Sequence, residues 1–384
     1  MSKVVVLRCE TYDYHTVKAV IQQGIDLLGG IAQFARAGEK ILLKPNLLVG
    51  DQPEKCVTTH PSILRAVAEV FNSSGALVYY GDSPGAAAMG ASAVTSSKKA
   101  GLATAAAEAG IELRDFEKGE AIHFAEGKQN KQFTIAKVVL ESDGIISLPK
   151  LKTHGSQKFS GAIKNQFGCI PGFLKGEFHV KLPDAYDFAK MLVDLDRYIK
   201  PRLYIMDGVM AMEGNGPRGG NPRKMNVILF SQDPVAIDAT ACRMINLDPM
   251  VVPTTVYGKE FGHGVFELKD IEFLGDDPAE FVVQDFDVDR GAIMPFKDRG
   301  RLRFLNNFLV PKPVINKDKC TKDGICIQAC PANPKALSWE NGKGTKPPVY
   351  DYDLCIRCYC CQELCPQKAI DIKKPAIRRM FAKK

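Results

Sequence analysis

The sequence lacks any apolar run approaching the roughly 20 residues that a membrane-spanning helix requires. Its start, Met-Ser-Lys-Val-Val-Val-Leu-Arg, also lacks the longer apolar segment of a secretory signal peptide. Of the 384 residues, 25% are charged and 45% hydrophobic, which argues against a disordered, collagen-like or coiled-coil chain. We therefore expect a cytoplasmic protein with a sizeable core and more than one domain.

Two signatures of nucleotide and zinc enzymes are also missing. No Gly-x-Gly-x-x-Gly follows the first apolar run, and no His-Glu-x-x-His occurs. The glycine-rich stretch Gly214–Gly220 lacks the Lys-Ser/Thr ending of a phosphate loop, so it is either a loop or a backbone cradle for an anion. The sequence therefore gives no support to a Rossmann dinucleotide site after the first strand.

Short apolar runs alternate with helical patterns over the first 290 residues. This alternation predicts an α/β fold with a mainly parallel sheet. The predicted strands include Lys3–Arg8, Lys40–Leu43, Ala76–Tyr80, Ile145–Leu148, Leu203–Met206 and Val227–Phe230. The predicted helices include His15–Leu28, His60–Phe71, Ser92–Ala109 and Pro234–Ile245.

Polar residues gather where several of these strands end, which is where open α/β sheets bind ligands. The segments 149–181, 297–319 and 371–384 each carry a net charge of +5, so the basicity of the chain is regional. We expect a cleft that binds an anionic small molecule or cofactor. The predicted binding residues are Lys44, Asn46, Ser83, Lys150, Lys152 and Asn165, and the candidate catalytic residues are His154, Lys164 and His179.

The cysteines are unevenly distributed. Four of the twelve are spread over the first 300 residues, and eight fall between residues 320 and 365. Without a signal peptide, such clustering indicates metal binding rather than disulfides. The run Cys355-x2-Cys358-x2-Cys361-x3-Cys365-Pro366 has the spacing of bacterial ferredoxins, in which the cysteine before proline binds the neighbouring cluster.

The preceding half-motif departs from this pattern, because Asp323 stands where the second cysteine belongs. One [4Fe-4S] cluster is therefore predicted at Cys355, Cys358, Cys361 and Cys330. The second is predicted at Cys320, Cys326 and Cys365, with Asp323 as the candidate fourth ligand. Because carboxylate is a harder ligand than thiolate, this cluster could be an Asp-ligated [4Fe-4S], a [3Fe-4S] or a cubane with one labile iron. Cys360 is surplus and is predicted to be a buried, unligated thiol.

These features divide the chain into four segments. We predict an α/β domain at 1–296, a basic linker at 297–313, a two-cluster ferredoxin-type domain at 314–373 and a basic tail at 374–384. The fold class is thus a large mainly parallel α/β domain followed by a small α+β ferredoxin-like domain.

The chain resembles the iron–sulfur proteins built on domain-of-unknown-function family 362. The resemblance covers most of the chain. It implies the domain pairing and an iron–sulfur cofactor, and it implies no substrate. It rests on Lys44-Pro-Asn46, Thr59-His-Pro61, Gly81-Asp-Ser-Pro84, Leu148–His154, Ser160–Gly168, Asp233–Asp238 and the C-terminal cysteine motif.

We expect a redox enzyme whose ferredoxin module exchanges electrons with an anionic substrate or cofactor in the α/β cleft. An acidic electron-transfer protein such as a ferredoxin or flavodoxin is the expected macromolecular partner, and nucleic acid is not expected. Two other functions stay open. The protein could be an electron carrier or docking module without chemistry of its own, or a non-redox enzyme with a structural or oxygen-sensing cluster.

Overall fold

The computed structural model describes residues 1–85, 92–172, 174–296 and 306–375. Most of the predicted basic linker (297–305) and of the predicted tail (376–384) lies outside the described residues. The four predicted segment boundaries therefore stay predictions. Within the described residues, no helix has both the length and the apolar character needed to cross a membrane.

The first 296 residues contain twelve described strands and ten described α-helices. The strands are β1 (Ser2–Arg8), β2 (Lys40–Pro45), β3 (Leu77–Tyr80), β4 (Glu112–Leu113), β5 (Gly119–His123), β6 (Gln132–Ala136), β7 (Gly144–Leu148), β8 (Lys150–His154), β9 (Lys158–Ser160), β10 (Leu203–Glu213), β11 (Asn221–Ser231) and β12 (Ile271–Gly275). The helices are α1 (Tyr14–Leu27), α2 (Pro61–Asn72), α3 (Ala93–Lys99), α4 (Leu102–Glu108), α5 (Lys137–Leu140), α6 (Ala162–Asn165), α7 (Leu174–Lys181), α8 (Ala185–Ile199), α9 (Pro234–Met244) and α10 (Pro253–Glu260).

One large mixed sheet organises this domain. Its strand order is β12-β1-β11-β10-β7-β2-β3-β4, with β8 paired to β10 and to β9. The pairs from β10 through β7, β2 and β3 to β4 are parallel, whereas β11 is antiparallel to both β1 and β10. The predicted α/β fold class is confirmed, and the sheet is mostly parallel rather than wholly so.

Both faces of the sheet are covered by helices, as the apolar strands require. Alternate side chains of β1 enter different cores: Val5 packs with α1 and α2, whereas Val4 and Val6 pack with α9. All three valines are fully buried. The sheet is therefore the middle layer of three, and its strand ends are the places left free for a site.

The predicted helix Ser92–Ala109 is two helices, α3 and α4, and the break falls at Gly101. Gly101 has φ +74°, and an added Cβ would lie 3.0 Å from Pro61 on α2. This left-handed backbone conformation separates α3 from α4, and glycine adopts it without steric strain. Gly101 thus accounts for a break that the prediction of a single helix did not include.

The stretch after β7 also differs from expectation. The polar residues 150–154 were expected in a loop, but they form strand β8, and all five are buried. β8 pairs with β9 and lies beside β10, so the two lysines of this segment must be neutralised inside the protein.

The C-terminal domain consists of short elements arranged as two similar halves. They are α11 (Asn306–Leu309), β13 (Lys312–Ile315), α12 (Ile325–Gln328), β14 (Leu337–Ser338), β15 (Val349–Tyr350), α13 (Cys360–Leu364) and β16 (Ile370–Lys373). β13 pairs antiparallel with β16, and β14 pairs antiparallel with β15. Each half places one short helix at its cysteine motif, which gives the small α+β domain predicted from the repeated motif.

A buried ionic cluster ties the N-terminal segment to the centre of the sheet. Asp207 accepts hydrogen bonds from the Lys150 ammonium (2.8 Å), the Tyr12 hydroxyl (2.7 Å) and the His60 backbone N–H (2.9 Å). Lys150 also donates to the Tyr12 hydroxyl, and the Tyr12 and His60 rings stack at 3.5 Å. Neither Lys150 nor Asp207 is exposed beyond 2%.

We predict that Asp207→Ala lowers the free energy of unfolding by about 3–5 kcal/mol, because it leaves the Lys150 charge buried without its partner. The double variant Lys150→Met/Asp207→Leu should recover much of this loss, since no charge then remains buried. Urea unfolding measures both. As a control, Glu141→Ala removes a half-exposed ion pair with Lys137 and should change stability by less than about 0.5 kcal/mol. A loss for Asp207→Ala no larger than that of the control would contradict this account.

Candidate functional site

A cavity of about 450 Å³ lies between the α/β domain and the C-terminal domain. Its α/β wall is built at the carboxyl ends of β2 and β3 and from α6 and α7. Its opposite wall comes from the cysteine-containing helices of the C-terminal domain. The volume is within the range typical of small-molecule sites. The polar and sulfur-containing lining residues used below are Asn46, Asp82, Ser83, Lys164, Asn165, Lys175, His179, Cys330, Cys360 and Glu363.

The α/β wall is held by a buried hydrogen-bonded network. Lys44 on β2 forms a fully buried ion pair with Asp82, 2.9 Å between Nζ and Oδ1. The other Asp82 oxygen accepts from the Leu47 backbone N–H at 2.8 Å. Asn165 donates to the Lys44 carbonyl and to the Ser147 hydroxyl, which joins α6 to the strand ends. The end of the parallel sheet is therefore fixed by specific polar contacts rather than by apolar packing alone.

Lys164 is the unpaired cation of this wall. Among the residues that the structure describes, its ammonium makes no hydrogen bond and no ion pair, and its nearest aromatic ring is Phe167 at 5.8 Å. Burial lowers the pKa of Lys164, and the charge of Glu363 across the cavity partly opposes that shift. A half-buried ammonium that lines a cavity without a hydrogen-bond partner is suited to an anionic ligand.

Lys175 on α7 is buried with neutral partners only. Its Nζ lies 2.5 Å from the Ser83 hydroxyl, 2.9 Å from the Ile170 carbonyl and 3.2 Å from the Ser83 carbonyl. Burial lowers the pKa of Lys175 to about 7, and the charge of Asp82 acts in the opposite direction. This lysine is thus close to changing its protonation state near neutral pH.

His179 lines the cavity, but its ring is packed between aromatic side chains. It stacks on Phe188 with 4.6 Å between ring centroids and meets Phe167 edge-on at 5.7 Å. Burial lowers the pKa of His179 to about 4. The imidazole is therefore neutral at pH 7. Its packing against Phe167 and Phe188 helps to hold the cavity wall in place.

His154 lies behind the lining, at the contact between the two domains. Its Nε2 is 3.1 Å from Oε1 of Glu363 on α13. The two atoms are not aligned for a hydrogen bond, so both buried atoms lack a hydrogen-bond partner among the described residues. Burial lowers the pKa of His154 to about 4, and the charge of Lys164 lowers it further.

The structure brings together five of the nine cleft residues predicted from the sequence. Asn46, Ser83, Lys164, Asn165 and His179 line the cavity. The other four, Lys44, Lys150, Lys152 and His154, do not line it. Lys44 and His154 stand directly behind lining residues, as described above.

Lys150 and Lys152 point away from the cavity for a physical reason: strand β8 buries both, so each needs acceptors inside the protein. Lys150 is held by Asp207. Lys152 donates to Asn46 Oδ1 (2.5 Å) and to the Val57 carbonyl (2.7 Å), and burial lowers its pKa to about 7. Lys152 therefore acts on the cavity only through Asn46.

The cysteines of the C-terminal domain separate into two neighbouring sets. Burial raises the pKa of Cys326 to about 12, with further contributions from the nearby charges of Cys365, Cys320 and Asp323. These four residues line one small cavity walled by Ile315 and Ile370.

In the second set, burial raises the pKa of Cys330, and the nearby charges of Cys358 and Cys355 add to that shift. Burial also raises the pKa of Cys361, and the nearby charges of Cys358 and Cys355 raise it further. The two sets agree with the exchange of ligands between the two halves of the motif. Soft thiolates in compact apolar surroundings suit iron–sulfur clusters.

No three His, Cys, Asp or Glu side chains within the described ranges converge on one point as the ligands of a single metal ion do. The cysteines of a cubane cluster each bind a different iron, so separated thiols are what such a cluster requires.

Asp323 lines its cavity from an exposed loop. One carboxylate oxygen accepts from the Thr321 hydroxyl at 3.0 Å, and the other accepts from the Ile325 backbone N–H at 2.9 Å. Each oxygen keeps a second lone pair. The carboxylate is thus held beside Cys320 and Cys326 by local contacts, with acceptor capacity left for iron.

Cys360 is not in either ligand set. It lines the cavity between the domains together with Cys330. The ligand set that contains Cys330 and Cys358 is thus the one that borders the cavity. The predicted ligand set that contains Cys320 lines a separate small cavity, together with Asp323.

The glycine-rich segment 214–220 contacts the C-terminal domain. Asn215 accepts two hydrogen bonds from the Gln362 amide and donates one to the Ile370 carbonyl. Arg218 donates to the Leu364 carbonyl (2.7 Å) and pairs with Asp51 (2.6 Å). The segment is neither a free loop nor an anion cradle, since its polar groups hold the two domains together.

Sequence reasoning missed three lining residues. Asp82 and Lys175 belong to segments that were already singled out. No sequence pattern indicated that Asp82 pairs with Lys44 or that Lys175 contacts Ser83. Glu363 lies inside the cysteine motif, which hides any second role. Ser83 was predicted only as an anion-binding residue, and the Gly-x-Ser-x-Gly spacing of Gly81-Asp-Ser-Pro-Gly85 directly after a strand went unrecognised.

Comparisons with known proteins agree with this architecture. The family described as "Domain of unknown function (DUF362)" matches residues 41–243, and the 4Fe-4S binding domain matches residues 313–334 and 348–371. A thylakoid-associated protein of Synechocystis sp. is 32% identical over 308 residues, which is 80% of this chain and 93% of that protein.

Two further similarities concern parts of the chain. An uncharacterised ferredoxin of Methanocaldococcus jannaschii is 35% identical over 60 residues, 16% of this chain and 75% of that protein. The lactate racemase apoprotein of Thermoanaerobacterium thermosaccharolyticum aligns with 61% of this chain and 57% of its own, at 12% identity and a TM-score of 0.40.

An α/β domain with a cavity at its strand ends and a C-terminal domain with two 4Fe-4S motifs defines an iron–sulfur protein of the electron-transfer type. The chain belongs to the DUF362 family, whose match covers more than half of its length.

The titration of Lys175 makes stability depend on pH. Burial holds its pKa near 7 in the folded protein, against 10.5 for an ordinary lysine. Between these values the unfolded chain binds more protons, so the wild type gains stability as pH rises. We predict that the stability of the wild type minus that of Lys175→Met grows by up to about 1.4 kcal/mol per pH unit between about pH 7 and 9.

Urea unfolding at several pH values under anaerobic conditions measures this difference. Val180→Ala on the same helix removes no titrating group and should give a difference that does not change with pH. A constant difference for Lys175→Met as well would show that Lys175 keeps an ordinary pKa in the fold.

Proposed function

We propose that the protein is a redox enzyme that passes electrons through the C-terminal clusters to an anionic substrate or cofactor bound in the cavity between the domains. The observation that carries this proposal is the composition of the cavity. One wall presents the unpaired ammonium of Lys164, and the opposite wall presents Cys330 and Cys360 of the cluster motif. A ligand attracted by the first wall therefore lies against the second.

The charge balance of the cavity supports an anionic ligand. Among the described lining residues, Lys164 has no hydrogen-bonded carboxylate partner, whereas Asp82 is already paired with Lys44. Glu363 is the remaining carboxylate of the inner wall, and it faces His154. The binding residues that we assign to the ligand are Asn46, Ser83, Lys164 and Asn165.

Reduction of a bound molecule consumes protons as well as electrons. Lys164 borders the cavity on the wall opposite the cluster motif, and an ammonium whose pKa is lowered by burial is a better proton donor than an ordinary lysine. His179 is on the same wall and is neutral near pH 7. We therefore assign proton donation to Lys164, with His179 and His154 as positioning residues.

The two ligand sets give electrons a direction of travel. The set of Cys320, Cys326 and Cys365 with Asp323 lies at the exposed side of the C-terminal domain, and the set with Cys330 borders the cavity. We assign a [4Fe-4S] cluster to Cys330, Cys355, Cys358 and Cys361. A cluster held by Cys320, Cys326 and Cys365, the outer cluster, would accept electrons from a donor, and a cluster held by the set with Cys330 would supply them to the ligand.

The surface near the outer cluster favours an acidic electron-transfer protein as the donor, such as a ferredoxin or flavodoxin. Lys317, Lys319 and Lys322 are exposed beside Cys320. Lys55 and Lys99, each about half exposed, share the single carboxylate of Asp51. All twelve cysteines are free thiols, which suits a reducing cytoplasm.

The proposal is tested by reducing the anaerobic protein, adding the small molecules that co-purify with it, and following reoxidation of the clusters. An anionic compound that reoxidises them in wild type and not in Lys164→Ala supports the proposal, and mass spectrometry of the product identifies the reaction. If a small mediator reoxidises the clusters but no co-purified compound does, the protein is an electron carrier and not a redox enzyme.

We predict that Lys164→Ala weakens binding of inorganic phosphate by about tenfold or more, because an unpaired, half-buried ammonium contributes at least one charge-assisted hydrogen bond. Isothermal titration calorimetry measures the affinity. Lys269→Ala, at an exposed lysine that does not line the cavity, is the control and should bind as the wild type does. If wild type and Lys164→Ala bind phosphate equally well, Lys164 does not form an anion site. The iron content of both variants should equal that of the wild type.

A separate prediction concerns the outer cluster. A carboxylate holds iron less firmly than a thiolate, so mild oxidation should convert the cluster at Cys320, Cys326 and Cys365 to [3Fe-4S] first. EPR detects the oxidised product. Asp323→Cys should suppress the conversion, because it completes a set of four thiolates. If Asp323→Ala leaves the spectrum and the course of oxidation unchanged, Asp323 is not a ligand.

A further inference from the structure

Ser83 occupies the turn between β3 and the cavity. It is 5% exposed, lines the cavity and lies in Gly81-Asp-Ser-Pro-Gly85. The turn is tightly held, because a Cβ on Gly81 would lie 2.3 Å from the Phe116 ring. Gly-x-Ser-x-Gly after a strand is the spacing by which many hydrolases present a serine at the end of a sheet.

The contacts of Lys175 fit a base for this serine. Its Nζ has three partners: the Ser83 hydroxyl and the carbonyls of Ser83 and Ile170. A neutral amine has two hydrogens and one lone pair. The two carbonyls can only accept, so they take the two hydrogens, and the lone pair then faces the hydroxyl that can donate.

The surroundings support that neutral form. Burial lowers the pKa of Lys175 to about 7, and the charge of Lys44 lowers it further, whereas Asp82 and Cys169 oppose the shift. Asp82 is committed to Lys44, so no carboxylate is hydrogen-bonded to Lys175 itself.

The backbone N–H of Gly172 donates to the Ser83 hydroxyl oxygen at 2.9 Å. This contact is available to stabilise negative charge as it develops on Oγ. Lys164 lines the same cavity and is free to bind an anionic group of the molecule that Ser83 contacts.

We propose that Ser83 is a nucleophile, that Lys175 is its general base, and that the pair acts on esters or thioesters that carry an anionic group. This chemistry is additional to the proposed electron transfer and does not depend on it, because no electron is exchanged. Serine–lysine pairs of this kind occur as variants of the serine–histidine–aspartate triad.

The steps balance without an oxidant or reductant. Ser83 Oγ forms a bond to the acyl carbon as its proton moves to Lys175 Nζ. The bond from that carbon to the leaving oxygen or sulfur breaks, and Lys175 returns the proton to the leaving group. Water then attacks the acyl-serine with Lys175 again as base, which releases the acid and restores Ser83.

A fluorophosphonate probe tests the pair directly on the intact, cluster-loaded protein, because it forms a stable bond to an activated serine and releases fluoride. Peptide mass spectrometry locates the adduct. In wild type we expect labelling at Ser83, with a rate that rises with pH and is half-maximal near pH 7. Ser83→Ala should give no adduct at this peptide.

Two lysine variants separate a base from a structural contact. Lys175→Arg keeps the charge and the hydrogen-bond donors but cannot accept the proton, so labelling should fall about 100-fold or more while iron content stays unchanged. Lys181→Met on the same helix should label at the wild-type rate. Wild-type protein that is not labelled at Ser83 up to about pH 9, or Lys175→Arg that labels as fast as wild type, would overturn the proposal.

These outcomes are independent of the redox proposal. If a ligand reoxidises the clusters but Ser83 forms no adduct, only the proposal of a serine nucleophile is contradicted. If Ser83 forms the adduct but no ligand reoxidises the clusters, only the proposal of a redox enzyme is contradicted.

Discussion

The site depends on how the fold neutralises lysines that it buries at the end of the sheet. Burying an ammonium costs several kcal/mol unless it is paired or hydrogen-bonded. Lys44 and Lys150 have aspartate partners, and Lys152 and Lys175 have only neutral acceptors. Lys164 has neither among the described residues, and we expect its ammonium to attract an anion where the cavity opens.

The contact between the domains decides what that charge faces. Segment 214–220 holds α13 against the α/β domain. Its Arg218 donates to the Leu364 carbonyl, and the Gln362 amide donates to Asn215 and to the Gly216 carbonyl. A small apolar cluster that includes Val57, Met212 and Leu364 packs beside these polar contacts. Together they place Glu363 against His154 and bring Cys330 to the cavity. A ferredoxin-type domain on a flexible tether would not bring these groups together.

Much of the organisation was predictable because it is local in the sequence. The ferredoxin spacing of Cys355–Cys365 specifies its own chemistry, since three thiolates so close in sequence can surround one cluster while the cysteine before proline binds the neighbouring one. The alternation of apolar runs with amphipathic segments indicated the parallel sheet and its two layers of helices. The polar ends of β2 and β3 indicated the edge at which we expect a ligand, and Asn46 and Ser83 do line the cavity there, with Asn165 of α6 also in the lining.

The sequence by itself determined the fold class, the cluster motif and the position of the ligand edge, because each depends on periodicity or on short spacing. Only the tertiary structure decided which basic residues face the cavity. Lys150, Lys152 and Lys164 look alike in the sequence, yet β8 buries the first two with acceptors from β10 and from the segments at Asn46 and Val57, while α6 exposes the third to the cavity. The pairing of Ser83 with Lys175, 92 residues apart, likewise needed the packing of α7 against the end of β3. Contacts between distant segments depend on the packed chain as a whole, and no local pattern specifies them.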